Sequence, residues 1–326
     1  MNNYPTYSVS IRTLGTAGEK YQETLNSVAR QTVKPEKVLV YIPHGYALPK
    51  ETIGIEEYVR CDKGMVTQRS QPFDEITSEY ILFLDDDLSF EADFVKKLFD
   101  GLLTMDGDCI SPDIYRCHEN NWLIKVRDYL GGTKPHCDSK WAFKVRRDTH
   151  YSYNRSPKSN VLLTQSGAFA CLLCKKKVHK SIHFEDERWI ETIPYGFGDD
   201  QLYYFKLFKS GYTVWTSFDT KIKHLDASAG RGKDKTQLAY AIGYCRYMIW
   251  YRTIYSEKNS KGYHLLCKLS LLLDALRSLP LSCAIIVKTR GIERFRANRK
   301  GKDDAKKFAK TEAYTKIPSF FSYVKN

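Results

Sequence analysis

The sequence lacks an unbroken apolar run of bilayer-spanning length. Residues 265–287 come nearest, but Lys268, Asp274 and Arg277 interrupt them and Pro280 would break a spanning helix, which argues against a transmembrane pass. A disulfide framework is missing too. Nine cysteines, an odd number without regular spacing, predict a reduced intracellular chain. Cys171 and Cys174 have the spacing of half a zinc site, but no second pair accompanies them, and their apolar neighbours predict core thiols. No charged and apolar leader precedes the first strand pattern, so nothing predicts secretion. Zinc-finger, helix-turn-helix and RNA-binding signatures are also absent, which leaves nucleic-acid binding to rest on charge alone.

What the chain has is size, aromatic content and positive charge. Its 326 residues, 42% of them hydrophobic, suffice for one large α/β domain with an appendage or for two domains. The 23 Tyr suit sugar stacking or interfaces. The net charge of +13 gathers at the carboxyl end, where residues 286–326 hold 12 Lys or Arg against 4 Asp or Glu. Such a tail serves nucleic acids or anionic membrane surfaces, and composition does not separate the two.

Residues 7–11 alternate as a strand, 19–31 carry Leu25, Val28 and Ala29 at helical spacing, and 37–42 form a second strand ended by Pro43 and Gly45. A short strand is expected at 57–60, a helix at 65–76, and a strand from Tyr80 onward. An amphipathic helix over 91–105 places Phe94, Leu98, Leu102 and Met105 on one stripe, and a strand begins at Asp108. From about 115 to 160 the pattern dissolves into a Lys- and Arg-rich stretch that reads as an insertion or flexible loop. A strand at 162–175, a helix at 199–209 stopped by Gly211, and short strands at 212–215 and 220–224 follow, before a largely helical region to about 287. The alternation predicts an α/β fold, a doubly wound and mostly parallel sheet flanked by helices, with a helical carboxyl-terminal extension.

The apolar run Ile81-Leu-Phe-Leu84 leads straight into Asp85, Asp86 and Asp87. The run lacks polar alternation and so reads as a central strand covered on both faces, and ligands of open α/β sheets bind beyond the carboxyl ends of such strands. Three acids packed there repel one another unless a cation or strong donors sit among them. Hard oxygen ligands suit Mg²⁺ or Mn²⁺, which take one or two carboxylates together with substrate phosphates. A metal–phosphate site is therefore expected. Further on, Gly198-Asp199-Asp200 opens a helix, where orphan backbone donors fix a carboxylate. Capping accounts for one acid there, less readily for two. The preceding Trp189, Tyr195 and Phe197 either offer flat faces to a sugar or pack beneath the loop.

In this order the pieces resemble the family 2 glycosyltransferases, GT-A-fold enzymes that use nucleotide-sugar donors, including those that build bacterial surface polysaccharides. The resemblance spans residues 7–224. It rests on Val9-Ser-Ile-Arg-Thr13 with Ser27-Val-Ala-Arg-Gln-Thr32, on 64–69, on Leu84-Asp85-Asp86-Asp87, on Gly198-Asp199-Asp200 and on His224 after a strand. It implies a GT-A catalytic domain over 1–225, its nucleotide-binding half about 1–112 and its acceptor half about 113–225, followed by a helical region with a basic tail over 226–326. It further implies that Asp87 and His224 hold Mn²⁺ or Mg²⁺. Asp85 would face the donor, with Asp86 able to exchange roles with either neighbour, and Thr13, Asp62 and Arg69 would line the nucleotide. Asp200 would be the base for the acceptor hydroxyl, with Asp199, Trp189, Tyr195 and Phe197 on the acceptor side. Sugar would pass with inversion from a nucleotide diphosphate, a UDP-sugar foremost, to a glycan or lipid-linked acceptor. The expected location is cytoplasmic, peripheral on the inner face of the membrane, with no specific nucleic-acid partner. Tyr41-Ile-Pro-His44 stands where relatives carry an acid, which leaves the nucleobase open. Gly291-Ile-Glu-Arg resembles a segment that follows the late helices of bacterial relatives.

Two other classes compete. A metal-dependent phosphohydrolase or nucleotidyltransferase would use the same acids, but wants acids for two metals about 4 Å apart or a nucleophilic Asp followed by a phosphate-binding Thr or Ser. A non-enzymatic nucleic-acid-binding protein would rest on the tail. Residues 265–287 and the tail suit either a hold on an anionic bilayer or packing within the protein or a dimer.

Overall fold

The computed structural model describes residues 4–115, 122–131, 134–135, 140–225, 234–289 and 292–325; Gly291, the first residue of the segment 291–294, lies outside them. The amino-terminal half runs β1 (Tyr7–Arg12), α1 (Glu19–Ala29), β2 (Val38–Pro43), β3 (Glu56–Cys61), β4 (Tyr80–Asp85), β5 (Leu88–Phe90), α2 (Phe94–Thr104) and β6 (Cys109–Pro112). Next come α3 (Trp122–Gly131), β7 (Lys134–Pro135), β8 (Trp141–Val145), β9 (Tyr151–Tyr153), β10 (Val161–Thr164) and β11 (Cys171–Lys175). They are followed by α4 (Lys176–Ser181), α5 (Asp199–Lys209), β12 (Val214–Ser217) and β13 (Ile222–His224). The carboxyl-terminal third is helical, with α6 (Lys235–Thr253), α7 (Lys261–Thr289), α8 (Glu293–Phe308) and α9 (Glu312–Thr315).

One sheet holds eleven strands in the order β3-β2-β1-β4-β11-β6-β12-β10-β8-β9-β7. Six of its ten neighbouring pairs are parallel. The central strands read as continuous apolar runs because both faces are covered. Tyr80, Leu82 and Leu84 join Tyr7, Val9 and Ile11 against α1 and α2, whereas Ile81 and Phe83 join Leu39, Tyr41 and Leu172 against α4, α5 and α6. Cys171 and Cys174 fall on opposite sides of β11 and are buried in different clusters, so they cannot share a metal.

Two expectations are corrected. The helix expected at 65–76 is a compact turn, because Pro72 cannot donate to a helix and restrains its predecessor, and Phe73 adopts a left-handed backbone with φ of 52°. The stretch from 115 to 160 is no simple loop where it is described: α3 and β7–β9 occupy it, and three strands extend the sheet. Ala142, Phe143, Tyr153 and Leu162 supply a small core there, hidden in the sequence among lysines and arginines.

The carboxyl-terminal helices pack back on the sheet-bearing part. Glu187, fully buried, accepts from Arg252 of α6 at 2.6 and 2.9 Å, from Lys206 of α5 at 3.2 Å and from the Trp189 indole at 2.8 Å. Arg252 also donates to the Pro318 carbonyl at 2.9 Å. Phe320 is buried beside Phe205, and Lys325 reaches Asp108 at 3.0 Å.

Candidate active site

The acids sit where the sheet topology brings strand ends together. Parallel pairing of β1 with β4 puts Arg12 in register with Asp85, and the Arg12 Nε and Nη2 donate to that carboxylate at 2.5 and 3.1 Å. Arg69 adds a third donor at 3.3 Å. Burial alone would raise the Asp85 carboxyl, but the two guanidiniums bring it down to about 2. Asp86 goes the other way: burial and repulsion from Asp85 and Asp87 push it up to about 6, against the hydrogen bond that Thr13 Oγ1 donates to it. Asp87 is pinned between two elements. Its carbonyl accepts from Leu225 N at 2.7 Å, and the next amide, that of Leu88, donates to Thr24 Oγ1 of α1 at 2.8 Å. Antiparallel pairing of β13 with β5 sets His224 opposite Leu88, with its Nε2 3.3 Å from Asp87 Oδ1.

Arg69 links these acids to a second pair. Its turn is held by Glu191, whose carboxylate accepts from the Val66 and Thr67 amides at 2.6 and 2.8 Å and from Thr67 Oγ1 at 2.7 Å. Gly64 is required beneath that carboxylate, since a Cβ there would lie 2.3 Å from Glu191 Oε1. The Arg69 guanidinium lies over the Phe169 ring at 4.3 Å and donates to the Phe169 carbonyl at 2.9 Å. Its Nη1 donates to Asp199 and, at 3.1 Å, to Asp200. Both acids occupy the first turn of α5, entered through Gly198 with φ of 95°, where L side chains are strained and a Cβ would meet Ile249. No side chain caps that helix end, so the two carboxylates are spent on Arg69 rather than on capping. Burial, then the Asp199 charge, raises Asp200 to about 6 against the pull of Arg69.

Asp199 and Asp200 border a cleft of about 390 Å³ that Phe197, His150, Tyr151 and Arg246 also line. The other expected residues divide. Arg69, Asp85, Asp199 and Asp200 form one network, with the Thr13–Asp86 pair and the Asp87–His224 pair beside it. Asp62, just past β3, is exposed and stands outside it. Tyr195 is half-buried, with a left-handed φ of 58°. Trp189 is a correction: it is buried in the core with its indole N–H committed to Glu187, so it offers no face to an acceptor. Arg12, Glu191, His150 and Arg246 were not anticipated. Arg12 was within reach of sequence reasoning, because it ends a strand next to the strand that ends at Asp85.

Five carboxylates here face two guanidiniums, and burial together with the neighbouring negative charges raises Asp86 and Asp200. The donor set suits a hard divalent cation: Asp87 and His224 offer an oxygen and a nitrogen side by side. Among the described residues no group of three or more His, Cys, Asp or Glu side chains is placed to hold a metal. A divalent cation held there would take its remaining ligands from phosphate oxygens and water, as is usual for Mg²⁺.

Comparison with known proteins agrees with this architecture. Residues 55–170, just over a third of the chain, match the family described as glycosyl transferase family 2. A search of curated proteins returns no match. Among solved structures the chain is similar to GalNAc-T7 with UDP, GalNAc and Mn²⁺, at 11% identity and a TM-score of 0.53, covering 80% of this chain and 53% of that one. It is also similar to the mannosyltransferase PcManGT from Pyrobaculum calidifontis in complex with GDP-Man and Mn²⁺, at 12% identity and a TM-score of 0.51, covering 99% of this chain and 85% of that one. The chain thus spans about half the length of the first. Its fold is the GT-A glycosyltransferase fold, a large mostly parallel sheet flanked by helices with a helical carboxyl-terminal region.

Proposed function

We propose that the chain is an inverting, metal-dependent glycosyltransferase that moves one sugar from a nucleoside-diphosphate donor to a glycan or lipid-linked acceptor, as in the assembly of surface polysaccharides. The observation that carries it is the Arg69 fork, which ties the strand-end acids to Asp200 at the rim of a cleft large enough for an acceptor. The ligands bound in the two similar structures support a nucleoside-diphosphate sugar with a divalent cation. In this reading residues 1–225 are the catalytic domain, 1–112 binding the nucleotide and 113–225 the acceptor, and 226–326 form a helical, basic region. The protein works peripherally at the cytoplasmic face of a membrane.

Asp87 and His224 hold Mn²⁺ or Mg²⁺, which supplies positive charge opposite the diphosphate leaving group. Arg12 keeps Asp85 ionised and aimed, and the Thr13 hydroxyl aims Asp86, as they contact the donor. Asp200 accepts the proton from the acceptor hydroxyl as its oxygen attacks the anomeric carbon from the face opposite the diphosphate. Arg69 fixes the Asp200 carboxylate in place, and Phe197 borders the acceptor.

The test is thermal unfolding with UDP, GDP, CMP and dTDP, each with and without Mn²⁺ or Mg²⁺, on the native chain and on Asp87→Ala. A ligand that binds only the folded state raises its stability with the logarithm of saturation. A metal-dependent shift with one nucleotide, lost in the variant, is expected and identifies the base. No shift with any pair overturns the donor site.

A further inference from the structure

Helix α7 is built inside out. A surface helix ordinarily turns its apolar stripe to the core and its charges to water. Here Asp274 points inward to His150, 3.2 Å away, and Arg277 pairs with Asp274 and lies over the Tyr129 ring of α3 at 5.6 Å. Cys267 is buried on the same side. Leu265, Leu266, Leu269, Leu272, Leu273, Leu276 and Leu279 face outward, each between 45 and 65% exposed. At about 100° per residue they span an arc of about 140° that holds no charged residue between 265 and 279, and the exposed Cys283 continues it. The inward ion pairs fix the helix's rotation, so the leucines face out by construction. Helix α3 packs beside α7 and exposes Trp122, Leu123 and Val126 in the same manner.

Exposed apolar surface on this scale marks an interaction site. We propose that the α7 leucine face, with the exposed edge of α3, is the surface by which this protein lies in the interface of a bilayer containing anionic phospholipid. Three observations favour that occupant. The residues outside the description, 1–3, 116–121, 132–133, 136–139, 226–233, 290–291 and 326, hold no Leu, Ile, Val, Phe, Tyr or Trp with which to cover it. No helix among the described residues is long and apolar enough to cross a membrane, so the face lies on the bilayer rather than through it. Positive charge adjoins it: Lys261 and Lys268 are exposed on α7 itself, which suits anionic headgroups. The inference rests on the peripheral location proposed above and on none of its chemistry. It also deepens that reading, because His150, the inward partner of Asp274, lines the cleft beside Asp200 and sets the leucine face next to the acceptor side.

The test uses the full chain with sucrose-loaded vesicles of phosphatidylcholine alone and of phosphatidylcholine with phosphatidylglycerol. Three proteins are compared, namely the native chain, Leu269→Glu/Leu273→Glu, and the milder Leu272→Gln/Leu276→Gln, each checked for folding by its thermal transition and for oligomeric state by light scattering. The native chain is expected to sediment with the anionic vesicles, and both variants to partition at least tenfold more weakly while retaining a cooperative transition and any nucleotide-dependent shift. Unchanged partition in both variants would assign the binding to the basic tail and overturn the leucine face. A native dimer that the variants dissociate, without vesicle binding, would overturn it in favour of a second copy, and a monomer that ignores vesicles would overturn it outright. Nucleotide shifts read in the same samples report separately on the donor site.

Discussion

A general base held at a raised pKa destabilises the folded chain that contains it, and Asp200 gives this a measurable form. Its carboxyl stands at about 6 against an ordinary value of 3.8. Between those values the native state binds a proton that the unfolded state releases, so the native chain loses stability as pH rises from about 4 to 6 and the deficit is complete above about 6. Undiscounted, a shift of this size corresponds to about 3 kcal/mol at 1.36 kcal/mol per pH unit. The Asp200 side chain is 38% exposed, so solvent screening reduces the expected figure to about 1 kcal/mol. Replacing Asp200 with Asn keeps the shape, removes the charge and leaves Arg69 paired with Asp199 and Asp85. The variant is therefore expected to melt about 2 °C above the native chain at pH 7.5. The difference should shrink as pH falls through 6 and vanish near pH 4, while turnover falls by a factor of about 10² to 10⁴. Calorimetric scans at pH 4, 5, 6 and 7.5, paired with donor turnover, measure both. A variant less stable than the native chain at pH 7.5, or a difference independent of pH, would refute the reading of Asp200 as an undercompensated carboxylate.

The same carboxylate should give kcat/KM an acid limb with a midpoint of about 6, falling tenfold per pH unit below it, which a pH–rate profile checks. Glu187→Gln should lower stability by about 3–5 kcal/mol, because it takes the carboxylate from the buried Arg252 and leaves Lys206 its longer pairing with Asp186 at 3.4 Å, and urea unfolding reads the loss. Gly64→Ala should force Glu191 off the Val66 and Thr67 amides, costing about 1–3 kcal/mol and weakening nucleotide binding through Arg69, measurable by calorimetric titration.

What was legible in the sequence follows physical range. The strand-end acids and the Asp199-Asp200 pair announced themselves because a central strand and a helix start each have a local signature, and the parallel order of β1, β2 and β4 followed from alternation. The Trp189 reading failed because an aromatic beside an acid looks the same in sequence whether it faces a ligand or a buried ion pair; only the approach of Arg252, 65 residues from Glu187, decides. The strands within 140–160 were lost for a related reason, since a four-residue core cluster leaves too short a period among charged neighbours.

The carboxyl-terminal third was expected either to pack on the protein or to meet a membrane, and its helices divide the two tasks by residue type. Two charged contacts that α6 and the end of the chain make inward are long-range: Arg252 with Glu187 and Lys325 with Asp108. These hold the helical region in one orientation. Once it is fixed, Asp274 and Arg277 turn α7 so that its leucines have no protein to cover them. An apolar helix free to rotate would bury that face in the core, since about 25 cal/mol is gained for each Å² of apolar surface removed from water. The inward charges, with Tyr263, Cys267 and Leu271 packed on the core from the same side, oppose it. If Asp274→Leu/Arg277→Leu gave a more stable chain that no longer partitions to anionic vesicles, the inverted helix would stand as a device that holds stability below its available maximum in exchange for an outward apolar face.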